Sequence, residues 1–414
     1  MPNRQKNPKI LFWHELKMNP HHLHQAHLSI VKKFRRRIQH APPPAPYIFE
    51  KLPPELCEHI FSFACLDDGY TGRSLSLVSK YVSETSKSVQ LQSLVVRNFS
   101  QAEGLASLLE KAPQHLRRVN HLFVLCNYHE MYTAATDYAD AQERKVMASP
   151  PPSPHFQSVL SRLHLRSKKG RSSKHVLKDP FCGKSVQVGG TFSPTIEEMM
   201  RQVLVRILHA VAHSLQILTI CIQTPRATVS LHGSPPLPRL RELTITYGCE
   251  YYPKVPTRIL DTFQPMPALR RLNLIRFESG AGPLDLVGQI ERLAPSLTHV
   301  RLPSIVIGWN RWLDMDAYFP PSPGGERVRP HLPMSVQKVY IRPLSPPAGP
   351  CPERVYYEET WEECLALAKR DDQVALEKPD RAPRRFDAKE PEKEWLDRIN
   401  GRDGCWSTAR ALMF

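Results

Sequence analysis

Apolar residues recur along the chain in a six-residue pattern, apolar-x-x-apolar-x-apolar, which occurs seven times between residues 91 and 341. The last four positions of each copy alternate in the way expected of a half-buried β-strand. The apolar positions are Leu91/Leu94/Val96, Val119/Leu122/Val124, Leu215/Leu218/Ile220, Leu240/Leu243/Ile245, Leu269/Leu272/Leu274, Leu297/Val300/Leu302 and Val336/Val339/Ile341. Successive copies start 28, 96, 25, 29, 28 and 39 residues apart. Such recurrence predicts stacked units that share one continuous core.

The segments between these strands predict helices in several places. Ser100-x-x-Glu103 and Thr195-x-x-Glu198 are capping boxes in front of apolar residues at helical spacing. A third helix carries Val287, Ile290 and Leu293 on one face. We therefore predict an α/β fold class in which parallel strands alternate with helices. The 25–29-residue interval lies in the range of leucine-rich repeats, so we expect an irregular solenoid of that kind.

A different pattern occupies residues 47–90. Leu52-Pro53-Pro54-Glu55-Leu56 opens a helix, because proline is tolerated in a first helical turn, where its missing N–H would have no partner. Ile60 and Phe63 continue an apolar stripe from Leu56 at helical spacing. A second short helix is predicted from Leu75 to Val82.

Positive charge is concentrated in two segments. Residues 1–46 contain nine Lys and Arg against one acidic residue, and residues 141–190 contain ten against two. Both segments are too polar to offset the entropy of ordering, so we predict a disordered arm and a disordered insertion. The rest of the chain is neutral, with 37 basic and 37 acidic residues. A folded nucleic-acid-binding protein would carry its positive charge on the folded part, which argues against nucleic acid as the main partner.

The chain lacks the familiar signatures of catalysis. It contains no GxSxG, no Walker glycine loop, no HExxH and no GxGxxG, and we therefore predict no catalytic residue and no cofactor. His21-His22-x-His24-x-x-His27 has no cysteine partners at zinc spacing, so we predict no metal site. The nine cysteines form no CxxC pair and favour free, mostly buried thiols in a reducing compartment. With no signal peptide or membrane span in the sequence, we expect an intracellular protein of the cytoplasm or nucleus.

The segment Leu52-Pro53-Pro54-Glu55-Leu56-x-x-x-Ile60, followed by Leu75-Ser76-Leu77-Val78-Ser79-Lys80, resembles the F-box. Together with the basic proline-rich insertion and the degenerate repeats, it resembles the expanded F-box families of mushroom-forming fungi. The resemblance implies a three-helix module that binds a Skp-type adaptor of a cullin–RING ubiquitin ligase. It places Leu52 and Pro53 in the adaptor's groove. It divides Leu56, Ile60, Leu75 and Val78 between the core of the module and the interface. The alternative is that these positions pack against the first repeat, since exposed and core stripes look alike in sequence.

These patterns divide the chain into six parts. They are a disordered basic arm (1–46), an F-box (47–90), the first repeats (91–140), a disordered basic insertion (141–192), a leucine-rich-repeat-like domain (193–345), and a C-terminal tail or cap on the last repeat (346–414).

One side of the repeat strands is a candidate surface for a target protein. Five residues between the last two apolar positions of a repeat should face outward on one side of the sheet: Thr219, Thr244, Asn273, Arg301 and Tyr340. They are chemically mixed, as protein-recognition surfaces are, but ordinary solvent-facing strand residues would look the same. The sequence thus predicts a substrate-recruiting adaptor without enzymatic activity. The alternative is a basic scaffold or nucleic-acid-associated protein that retains a degenerate F-box.

Overall fold

The computed structural model of the protein describes residues 48–127, 177–178, 185–186, 194–223, 231–247, 259–275, 283–302, 332–343, 352–379, 387–407 and 411–412. The predicted basic arm, 1–46, and most of the predicted insertion, 141–192, lie outside these residues. Within the insertion, Leu177–Lys178 and Ser185–Val186 (β3 and β4) pair as a short antiparallel ladder. The chain divides into two compact units, residues 1–53 and 54–414. In the first unit, Ile48–Lys51 forms a turn of 3-10 helix.

Three short helices open the second unit. They are α1 (Pro54–Ala64), α2 (Tyr70–Leu75) and α3 (Lys80–Ser86). Both α1 and α2 pack against α3. The single helix predicted from Leu75 to Val82 is wrong, because Ser79 interrupts it. The Ser79 backbone is extended, and the Ser79 hydroxyl accepts a hydrogen bond from the Val82 N–H as the N-cap of α3.

The packing of these helices leaves no room for a side chain at Gly72. A Cβ atom added there would lie 2.1 Å from the Gln90 backbone oxygen, which can move only if the chain after α3 moves. We expect Gly72→Ala to lower the free energy of unfolding by about 1–3 kcal/mol, as overpacking does. Gly104→Ala is the matched control, since its Cβ would meet no atom within 4 Å at an exposed position of a helix. That change should stabilise the protein by about 0.5–1 kcal/mol. Urea unfolding of both variants tests the contrast, and equal effects would contradict it.

Eight strands form one sheet in which every neighbouring pair is parallel. In spatial order they are β1 (Ser93–Val96), β2 (His121–Asn127), β5 (Ile217–Gln223), β6 (Glu242–Tyr247), β7 (Arg271–Ile275), β8 (His299–Leu302), β9 (Lys338–Ile341) and β10 (Val374–Leu376). All seven strands predicted from the six-residue pattern are present. Of its 21 apolar positions, only Leu91 and Leu94 are not fully buried.

The predicted alternation of strands with helices is confirmed, and the helices cover one face of this sheet. They are α4 (Phe99–Lys111), α5 (Pro194–Val211), α6 (Pro283–Leu293) and α7 (Pro352–Arg370). Their apolar stripes and the apolar strand positions form one buried core. The predicted capping box of α4 is displaced by two residues. Asn98 is the N-cap and accepts from the Gln101 N–H at 2.9 Å, while the Gln101 side chain accepts from the Arg97 N–H at 2.8 Å.

The C-terminal part does more than end the last repeat. Helix α7 and strand β10 add one further helix–strand unit to the sheet, in line with a cap. Residues 387–407, which we call the C-terminal segment, contain α8 (Lys389–Ile399) and a 3-10 turn, Gly404–Trp406. This segment lies on the sheet face opposite the helices and contacts β2, β5 and β9 there. The prediction of a tail or cap did not include this contact with β2, β5 and β9.

Two observations concern the described residues as a whole. Their six cysteines are free and buried, as predicted: Cys57, Cys65, Cys126, Cys221, Cys364 and Cys405. No helix among them combines the length and the apolar character that crossing a bilayer requires.

Candidate partner-binding surfaces

Helix α1 has two apolar faces with different surroundings. Cys57 and Phe61 point into the protein and are buried. Leu56, Ile60 and Phe63 follow a separate stripe and are 51%, 44% and 64% exposed. At 100° per residue the two stripes lie well apart around the helix. One face of α1 therefore holds the helix in place, and the other is left to solvent.

Exposed apolar side chains are concentrated in this region. Among the residues that the structure describes, nine large apolar side chains are exposed, and six of them lie between positions 56 and 78. These six, which we call the helical apolar surface, are Leu56, Ile60, Phe63, Tyr70, Leu77 and Val78. Scattered exposed apolar residues are ordinary on any protein, but such a concentration makes this region a candidate interaction surface.

A fixed turn holds the middle of the helical apolar surface. The two carboxylate oxygens of Asp67 accept hydrogen bonds from the N–H groups of Gly69 and Thr71, both at 2.9 Å. Gly69 has a φ of +91°, a conformation that favours glycine. The Ser93 hydroxyl donates to the Asp67 carbonyl oxygen at 2.7 Å and so connects the turn to β1. Tyr70 is thus presented to solvent on a rigid support.

The residues predicted to bind a Skp-type adaptor differ in exposure. Leu56, Ile60 and Val78 are exposed, as is Pro53, while Leu52 and Leu75 are half-buried. The alternative in which Leu56, Ile60 and Val78 pack against the first repeat does not agree with their exposure. Their role in binding an adaptor stays a prediction.

The second candidate surface is the sheet face opposite the helices. The five residues predicted to bind a target lie directly beside one another in the strand register: Thr219, Thr244, Asn273, Arg301 and Tyr340. We call them the polar row. Their predicted alignment on one side of the sheet is confirmed. Their predicted exposure is wrong, because four are buried and Thr244 is half-buried.

The C-terminal segment causes this burial. The Trp395 ring packs on Phe123 with a centroid distance of 5.9 Å, and the Trp406 ring packs on Tyr340 at 5.6 Å. The Tyr340 hydroxyl donates to the Trp406 carbonyl oxygen at 3.1 Å. The Asn273 side-chain amide donates to the Cys405 sulfur at 3.4 Å. The polar row is therefore closed to any partner while the segment is in place.

Ion pairs attach the segment to arginines around the polar row. The carboxylate of Glu390 lies 3.3 Å from Arg342, and that of Glu392 lies 2.5 Å from Arg97. Within the same segment, Arg398 donates to Glu242 of β6, which also pairs with Arg271 at 3.0 Å. The contact therefore combines two buried aromatic rings with ion pairs around them.

Arg301 forms the most buried ion pair of this face. Its guanidinium donates to the Glu377 carboxylate, and the two side chains are only 2% and 1% exposed. Glu394 of the C-terminal segment lies 4.0 Å from the Arg301 Nη1 atom, beyond hydrogen-bond distance. Within the described part of the chain, Arg301 Nη1, Glu377 Oε1 and Asn273 Oδ1 are buried without a hydrogen-bond partner.

Burial also makes this face sensitive to acid. It lowers the pKa of His121 to about 4, and the nearby Glu242 carboxylate only partly opposes this. A histidine with a lowered pKa in the folded state binds a proton more readily when unfolded, so stability falls as the pH drops from about 6.5 towards 4. We expect the free energy of unfolding to decrease over this interval and the His121→Gln variant to show a smaller decrease. Urea unfolding at pH 7 and pH 5 measures the difference, and identical pH dependence in both proteins would contradict it.

A basic groove lies at the edge where the strands begin. A cavity of about 730 Å³ is lined by Gln114, His115, Arg118, Asn120, His213, Ser214, Gln216 and Arg239. A smaller one of about 290 Å³ shares Gln216 and Arg239 with it and adds Arg241. None of the described residues that line either cavity is acidic. The sequence did not predict this groove, because its arginines are scattered between positions 118 and 241 and only the strand register brings them together.

Metal binding is the last prediction of chemistry to compare with the structure. Within the described ranges, no group of three or more His, Cys, Asp or Glu side chains could hold a metal ion, and His21–His27 lies outside those ranges.

No protein family model matches the chain, and no curated protein is significantly similar to it in sequence. The function must therefore be inferred from the helical apolar surface and the polar row themselves.

Proposed function

We propose that this chain is a substrate-recruiting F-box adaptor of a cullin–RING ubiquitin ligase. In this proposal residues 47–90 bind a Skp-type adaptor, and the sheet, as a leucine-rich-repeat-like domain, supports a target protein. The observation that carries the proposal is the helical apolar surface. The residues Leu56, Ile60 and Val78, which the F-box resemblance selects, are among its members.

The energetics of these side chains favour a partner. Covering a half-exposed leucine, isoleucine or phenylalanine contributes on the order of 1 kcal/mol. Six exposed apolar side chains in one short region, four of them leucine, isoleucine or phenylalanine, are enough to support a specific contact if a complementary apolar surface meets them. The three helices add little core of their own, which is typical of a module that is completed by another polypeptide.

The sheet fits the role of a rigid platform. Its strands are in sequential order and in register, so a target bound to it would be held at a fixed distance from the helices. An adaptor of this kind accelerates ubiquitin transfer by proximity alone, because the transfer is done by other subunits. Our proposal therefore assigns no catalytic residue.

Co-purification tests the proposal. The full chain is co-expressed with a Skp-type adaptor and isolated through a tag, beside a Leu52→Ala, Pro53→Ala variant. We expect the adaptor to co-purify with the natural chain and to be strongly reduced with the variant. Equal recovery in the two samples, or no recovery with the natural chain, would count against the proposal.

The basic groove favours a second candidate, a nucleic-acid-associated scaffold. Arg118, Arg239 and Arg241 are exposed, although Arg118 lies 4.0 Å from Glu58. Phosphate contacts would make binding fall steeply with salt. Binding of a single-stranded RNA probe, measured between 50 and 200 mM salt, separates the candidates. A steep decrease that disappears in the Arg239→Glu, Arg241→Glu variant would favour the scaffold, whereas the adaptor predicts no such binding.

A further inference from the structure

We propose that the polar row is a docking surface for a helical segment that carries a tryptophan and several glutamates, and that the C-terminal segment occupies this surface as an internal substitute. The inference deepens the proposed function and rests on it in one respect, since it identifies the partner as a segment of the recruited target. The closed polar row is then the resting state of the adaptor.

The shape of the surface fits a helix. The row from Val95 through Phe123, the polar row and Ala375 crosses all eight strands at one register level. Neighbouring strands lie about 4.8 Å apart, so the row spans roughly 30 Å. A helix of eleven residues, such as α8, is about 16 Å long. Its side chains reach Arg97 beside β1, Arg301 of β8 and Arg342 beside β9. The 3-10 turn Gly404–Trp406 contacts further strands.

The charges of the surface define what it accepts. Arg97 follows β1, Arg301 lies in β8 and Arg342 follows β9. Each faces a different glutamate of α8, namely Glu392, Glu394 and Glu390. Phe123 and Cys221 receive the indole of Trp395 between these pairs. The surface therefore selects an acidic helix with one large aromatic side chain.

The C-terminal segment does not satisfy all the buried polar atoms of this surface. Arg301 Nη1 and Asn273 Oδ1 are buried beneath it without hydrogen-bond partners in the described part of the chain. Such orphan groups cost about 1–3 kcal/mol each. A target segment that presents a carboxylate to Arg301 Nη1 and a hydrogen-bond donor to Asn273 Oδ1 would form two hydrogen bonds that α8 does not form. Partly exposed ion pairs, such as that of Arg342 with Glu390, contribute little to keeping α8 bound.

A switchable covalent lock tests the inference in the full chain. The Asn273 Nδ2 and Cys405 Sγ atoms are 3.4 Å apart, so Asn273→Cys places a second thiol beside Cys405. Oxidation then fixes the C-terminal segment on the sheet, and mass spectrometry verifies the bond. The probe is a fluorescent peptide of residues 387–407 that carries Cys405→Ser, and its binding is followed by anisotropy. We expect at least tenfold weaker binding to the oxidised protein than to the reduced one, and no effect of oxidant on Asn273→Ser.

A second pair of variants decides the matter if the lock does not form. Trp395→Ala weakens the packing of the C-terminal segment on the sheet and leaves the sheet itself unchanged. Trp361→Ala removes an indole from the opposite, helix-covered side of the sheet. The C-terminal segment of the same chain competes with the peptide at an effective concentration of about a millimolar. Weakening its contact with the sheet therefore has a large effect on the affinity for the peptide. We expect Trp395→Ala to bind the peptide at least tenfold more tightly than Trp361→Ala does. Equal binding, or binding that a verified lock does not reduce, overturns the inference.

The same preparations separate this inference from the proposed function. Adaptor co-purification without peptide binding overturns the docking surface and leaves the F-box proposal intact. Peptide binding without adaptor co-purification keeps the docking surface but removes its role in target recruitment.

Discussion

Replacing Leu56 and Ile60 by arginine should lower the affinity for a Skp-type adaptor by at least about 100-fold without unfolding the protein. Both side chains lie on the exposed stripe of α1, 51% and 44% exposed, so the substitutions place two charges in the centre of the proposed interface. A 100-fold loss corresponds to about 2.7 kcal/mol, which is typical of disrupting two central interface residues. Calorimetry with the purified adaptor measures the affinity, and circular dichroism checks the fold.

The chain offers a matched control for this prediction. Leu108 is 48% exposed on α4, outside the helical apolar surface. Leu108→Arg therefore introduces the same chemistry at a similarly exposed leucine and should leave adaptor binding unchanged. If Leu108→Arg and the double variant weaken binding equally, the helical apolar surface is not the adaptor site.

Removing the guanidinium of Arg301 should be the most destabilising single change on the sheet face. In Arg301→Met the Glu377 carboxylate stays buried without its main partner, because Arg342 approaches it only to 3.9 Å. Breaking a buried ion pair on one side costs about 3–5 kcal/mol. Guanidinium chloride unfolding of the natural chain and the variant measures the loss.

Two comparison variants identify the cause of that loss. Arg301→Met combined with Glu377→Met removes both charges, so the double variant should be more stable than Arg301→Met alone. Arg354→Met breaks an exposed pair with Glu358 and should change stability by less than about 0.5 kcal/mol. A double variant that is no more stable than Arg301→Met would show that the charge left on Glu377 is not the cause.

The sequence was sufficient to predict the sheet but not its last strand. The six-residue pattern works because each repeat packs its own three apolar positions against the common core, so the signal lies within a short stretch of the chain. Strand β10 lacks the first of these positions, where Asp371 stands instead. The Asp371 carboxylate accepts a hydrogen bond from the Gln373 N–H at 2.8 Å and shapes the turn that an apolar residue shapes elsewhere. A search for the last two apolar positions alone would have found Val374 and Leu376.

The candidate surfaces could be predicted only in part, because the exposure of a side chain depends on tertiary packing. The stripe of Leu56, Ile60 and Phe63 was visible in the sequence, but whether it faces solvent depends on the packing of α1 against α3. The alignment of the polar row followed from the repeat, whereas its burial depends on residues more than 60 positions away along the chain, such as Trp406 on Tyr340 and Glu394 facing Arg301. Trp395 among glutamates was the one available signal, since an indole in a charged helix needs an apolar surface to cover it.

The position of the C-terminal segment has a consequence for synthesis on the ribosome. Strands β1 to β9 precede residues 387–407 along the chain, so a sheet that forms during synthesis has one face bare until these residues emerge. A face lined by threonine, asparagine and arginine can be hydrated during that interval, whereas a wholly aliphatic face would invite aggregation. The polar character of the row thus protects the sheet until residues 387–407 cover it.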